Sequence, residues 1–279
     1  MRTSLVAQSV KFSYNIAKGS VEKRLAQTRQ LDEQLYKLIV NSQKQNPTGN
    51  VLLADLRNFV ADILPEDKSL LIRPTNKKDL KFMEAGADYL YDSKGNITGH
   101  ILELPLKRKK LQLGNVPTML HEMTHIFDKM LNPKTIARTI KLSRELEGFK
   151  GHFGHVDQYN NLYDKLYGLK EEQFTTAEEK FAILKTREKE IRKVLEHKKT
   201  ETKLNILQNL RYQLGLELNA YTIENEYIDR MTPKGEDLSM VKTDVDKYLF
   251  RETIEIIEQI MREVIAKERA KIRRSINKN

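Results

Sequence analysis

Apolar residues in the first forty positions recur at helical intervals. Leu25, Leu31, Leu35, Leu38 and Ile39 share one stripe, and the spacing predicts a helix over 3–43. "NPTGN" at 46–50 breaks the pattern, and a short helix follows through Leu64. Pro65 and Pro74 bracket a stretch that reads as irregular. The period then changes. "ADYLYDSKGNITGHILELPL" at 87–106 holds two strand-like runs around the turn signal "DSKGN", so a β-hairpin is expected, ended by Pro105.

The rest of the chain returns to the helical period. "PTMLHEMTHIFDKML" predicts a helix with Pro117 in its first turn, stopped by Asn132 and Pro133. Those two residues can also cap and start a following helix that runs through Glu147 and is closed by Gly148. "GFKGHFGHVD" at 148–157 reads as a glycine-rich loop. Thr176 and Glu179 have the spacing of a capping box before a charged helix to about His197. Further helices are expected from near Thr202 to Met231, and over roughly 241–274. The fold class is therefore mainly α with a small antiparallel hairpin, an α+β arrangement.

Composition narrows the chemistry. The chain has 279 residues, 39% hydrophobic and 32% charged, which suits long helices with solvated faces. It has no Cys, so disulfides, thiolate nucleophiles and Cys-ligated zinc are excluded, and any metal site must use His and carboxylates. The net charge is +10, concentrated in "LKRKK" at 106–110 and in the last thirteen residues, "KERAKIRRSINKN". These runs read first as solvated surface. They lack the interleaved aromatics of a nucleic-acid site, and no specific nucleic acid is expected as a partner. No transmembrane segment and no cleaved signal peptide are read, so the expected location is the cytoplasm, or outside the cell by a route that needs no leader.

The chemistry-bearing stretch is "HEMTH", residues 121–125. On a helix, residues four apart lie on one face, so His121 and His125 can both turn a ring nitrogen to one ion. Glu122 is rotated by about 100° from His121, one helical step; it cannot easily join that ligand set but can reach a water held there. Those are the mechanics of two zinc ligands and a general base. With 6 His and 25 Glu in the chain, a bare match arises by chance roughly once in ninety such chains, so context must decide. The alternative is a buried amphipathic helix whose histidines bond to backbone carbonyls.

"HEMTH" following the strand "ITGHILELP" resembles the zincin metalloproteases. The resemblance implies Zn2+ as cofactor and a protein or peptide substrate. It also implies that the substrate pairs with an edge strand, here near 97–104, beside the active-site helix. It covers about 87–131 plus one later helix. On this reading the domains are an N-terminal helical region over 1–64 and a zincin-like domain over 65–279. The second carries a helical insertion at about 134–209 and a C-terminal helix.

A catalytic zinc needs a third protein ligand. In "LRYQLGLELNAYTIENEYI", Leu210, Leu214, Glu217, Tyr221 and Glu224 share one face, which puts carboxylates on an apolar stripe. A buried carboxylate calls for a cation or a metal. Glu217 is the leading candidate and Glu224 the reserve. The loop "HFGHVD" offers His152, His155 or Asp157 instead. "ELNA" at 217–220 resembles the E-x-x-A pattern of the gluzincins, which implies Glu217 as the ligand. The 92 residues from His125 to Glu217 are more than compact members have, hence the expected insertion. Asp128 is a candidate to hold a ligand imidazole by its second nitrogen, with a surface acid paired to Lys129 or an Arg as its alternative. Tyr221 is a candidate donor to a developing oxyanion, with plain packing as its alternative.

The function expected is a zinc-dependent endopeptidase. A small cysteine-free zincin with helical extras also resembles bacterial toxins and effectors. The alternative of another class is a helical interaction module with a non-catalytic H-E-x-x-H.

Overall fold

A computed structural model describes residues 2–46, 50–63, 69–75, 85–93, 97–106, 111, 113–131, 176–231 and 244–276. The elements in chain order are α1 (Arg2–Gln45), α2 (Leu53–Ile63), β1 (Ser69–Pro74), β2 (Gly86–Tyr91), β3 (Ile97–Leu104), α3 (Val116–Leu131), α4 (Ala177–Leu195), α5 (Thr200–Met231) and α6 (Asp244–Ile276). This is a mainly helical fold with one small sheet, as expected. The chain divides into two compact units. One comprises Met1–Lys23, Lys134–Leu218 and Thr243–Asn279; the other comprises Arg24–Pro133 and Asn219–Lys242. Helix α5 carries the division, between Leu218 and Asn219.

In the unit that begins at Arg24, β2 and β3 form the expected hairpin. Gly86 lies opposite Glu103, and Tyr91 opposite Ile97. The third strand, β1, falls in the stretch that the two prolines made look irregular. It pairs parallel to β3, from Ser69 opposite Gly99 to Pro74 opposite Leu104. Pro74 is tolerated because it ends a strand at the margin of the sheet, where a missing N–H interrupts no central ladder. The order is β1-β3-β2. This corrects the expectation of an edge strand near 97–104: β3 is central and its hydrogen-bonding groups serve both neighbours.

Gly99 is required where it stands, since a Cβ there would collide with the Ser69 carbonyl oxygen and crowd Leu90. Leu102 and Leu104 of β3, Leu56 and Val60 of α2, and Leu35 and Ile39 of α1 pack into one core. Met119, Leu120, Met123, Ile126 and Phe127 of α3 join them. Helix α3 is thereby held by its apolar face.

The other unit is built from α4, the first part of α5, and α6. Thr176 and Glu179 form the capping box the spacing anticipated, each side chain bonded to the other's backbone N–H. Helix α4 ends at Leu195, and His197 just beyond it takes a left-handed backbone (φ 56°). Arg187 is buried and donates to the Leu249 carbonyl and the Thr253 hydroxyl of α6. Arg192 grips Glu263 through two bonds of 2.8 and 3.0 Å. No helix among the described residues is long and apolar enough to cross a membrane. The basic residues from Lys267 to Arg274 ride on the end of α6. The loop holding His152, His155 and Asp157, the helix expected to run to Glu147, and the basic stretch 107–110 lie outside the described residues.

Candidate metal centre

The starting point is α3. Its apolar residues point into the core, and the polar residues His121, Thr124 and Asp128 among them are buried as well. His121 is buried; Glu122 and His125 are half-buried. The two imidazoles lie ring to ring at 5.0 Å, as their i, i+4 spacing dictates.

Helix α5 supplies the acids. Glu217, Tyr221 and Glu224 are all buried, at 6%, 4% and 8% exposure, on the stripe read from the sequence. One donor atom each from His121, His125 and Glu217 lie within 4.8 Å of one another. Among the described residues this is the group of His and acidic side chains able to share a metal ion. A tetrahedral site with bonds of about 2.0–2.1 Å needs donors about 3.4 Å apart, so the three must close in slightly, a movement within reach of side-chain rotation.

Glu224, the reserve ligand of the sequence reading, lies against His121. Its Oε2 lies 3.3 Å from His121 Nδ1. An imidazole that donates Nδ1–H to a carboxylate presents Nε2 as the free lone pair, the arrangement that metal-bound histidines commonly use. Tyr221 packs edge-to-face on the His121 ring at 4.5 Å between centroids, which limits the tilt of that ring.

Asp128 is buried on α3 and is bonded by Arg24 of α1, whose Nη2 approaches its two oxygens at 3.2 and 3.4 Å. Burial lowers the Arg24 pKa, and the charge of Asp128 works against that shift. A second polar contact from α1 was not foreseen. Thr124 Oγ1 donates to Asp32 Oδ1 at 2.8 Å and also lies 3.0 Å from the Leu120 carbonyl. Asp32 is fully buried, and burial pushes its carboxyl up to about 7; Thr124, Arg29 and His121 each pull it back. The signal for Asp32 was present in the sequence, because it shares the stripe of Thr28, Leu35 and Ile39, all fully buried. His100 lies buried on β3, opposite Leu70 and Tyr89.

No protein-family model matches the chain, and neither a curated protein nor a solved structure does.

Proposed function

We propose that the chain is a zinc-dependent peptidase similar to the gluzincins. The observation that carries this reading is the meeting of His121, His125 and Glu217, with Glu224 on the far nitrogen of His121. The donor set fits zinc: two imidazoles and a carboxylate, with no thiolate in the chain. His121 through Nε2, His125 through a ring nitrogen and Glu217 through a carboxylate oxygen would hold the ion. Bound zinc would supply Lewis acidity, making a water acidic at neutral pH and polarising a carbonyl.

The remaining work falls to this chain's own groups. Glu122, half-buried and one helical step from His121, would take a proton from water on its carboxylate and return it to the leaving amine nitrogen. Glu224 keeps His121 in one tautomer. Tyr221, held against the His121 ring, keeps that ring in place. A protein or peptide is the substrate class. The test is Glu122→Gln, which should retain zinc while peptide hydrolysis falls about 10²–10⁴-fold. Unchanged hydrolysis would remove Glu122 from the mechanism.

A further inference from the structure

Helix α1 reaches α3 through two side-chain pairs, Arg24 with Asp128 and Asp32 with Thr124. The second pair is placed where it can act on the metal centre. Thr124 lies in the same helical turn as both histidines, three residues after His121 and next to His125. Asp32 Oδ1 takes the Thr124 hydroxyl, while Oδ2 is buried and accepts no hydrogen bond among the described residues. Among the described residues, the charged or protonatable groups that act on it are Arg29 on its own helix and His121 on α3. Arg29 already binds Glu226 at 2.6 Å. An ionised carboxylate so enclosed is unfavourable unless further positive charge stands close by. A divalent ion on His121 and His125 is such a charge.

We propose that Asp32 is a positioning residue of the metal centre: through Thr124 it steadies the turn that carries both histidines, and its carboxylate offsets the charge of the cation they hold. The proposal rests on the zinc reading above. It assigns a role at the metal to the N-terminal helix, at a distance of 89 residues in sequence from His121.

The experiment is zinc affinity by competition with a chromophoric chelator at pH 8, with thermal unfolding in a chelating buffer alongside. The full-length wild type is compared with Asp32→Asn and Asp32→Ala. Asn keeps the acceptor for Thr124 and removes the charge. Asp32→Asn should bind zinc at least about 10-fold more weakly. Its metal-free melting temperature should match or exceed that of the wild type, because a buried carboxylate has been removed. A merely structural residue would not separate the two readouts in that direction. Asp32→Ala should lose at least as much affinity. If Asp32→Asn binds zinc as tightly as the wild type, the Asp32 proposal falls and the zinc reading stands. If Asp32→Asn fails to fold without metal, Asp32 is structural and the proposal falls. If the wild type takes up no zinc, both fall.

Discussion

Glu224 Oε2 sits 3.3 Å from His121 Nδ1, and both side chains are buried. If Nδ1 donates its proton to this carboxylate, Nε2 is left with the lone pair that could bind a metal ion. Glu224→Gln keeps the size of the side chain but weakens this hold. Zinc affinity is expected to fall about 10–100-fold while the melting temperature of the metal-free protein changes little. Chelator competition and a thermal melt check this together. Equal zinc affinity in the two proteins would return Glu224 to an ordinary buried acid.

Asp32 gives the metal-free protein a dependence on pH. Its folded carboxyl titrates at about 7 against 3.8 for the free side chain, so between those values the native state holds a proton that the unfolded state has released. Stability from this group is fully present below pH 3.8 and drains away as pH rises to about 7. The sum is on the order of a few kcal/mol. Chemical denaturation with a chelator present should therefore show the Asp32→Asn variant gaining on the wild type from pH 4 to pH 8. A constant difference between the two would show that Asp32 titrates normally.

Gly99 and Ser69 test the sheet. A Cβ at Gly99 meets the Ser69 carbonyl oxygen across the β1–β3 pairing, and backbone cannot step aside as a flexible side chain can. Gly99→Ala should cost about 1–3 kcal/mol, seen as a lower denaturant midpoint. Ser69→Ala, which leaves the backbone in place, should be close to neutral. A neutral Gly99→Ala would argue that β1 does not pair where the register puts it.

What the sequence disclosed follows from how local each signal is. Helical stripes such as Leu25 to Ile39, the Thr176–Glu179 box, and the placing of His121 and His125 on one face need only neighbouring residues, and all are present in the fold. Strand β1 was hidden because Pro65 and Pro74 mask a short apolar run whose partner lies thirty residues on, at Gly99 to Leu104. The same non-local pairing makes β3 central, which no feature within 97–104 could announce. At the candidate site, the apolar stripe on α5 pointed to Glu217 and Glu224 but could not divide their roles. That division depends on which acid faces Nδ1 of His121, a matter of how α3 and α5 meet. Asp128 was read either as a partner for a ligand imidazole or as an acid paired to Lys129 or an Arg; Arg24, more than a hundred residues earlier, binds it, a partner that only the fold can name.

The most direct measurement is zinc content. The full chain, purified without a histidine tag and reconstituted, is assayed for metal per molecule beside Glu217→Ala. The account expects about one zinc per wild-type chain, the stoichiometry of a single three-ligand centre, and weakened retention without Glu217. A wild type that holds no zinc after reconstitution would contradict it, and would leave "HEMTH" as part of an amphipathic helix in a helical interaction protein.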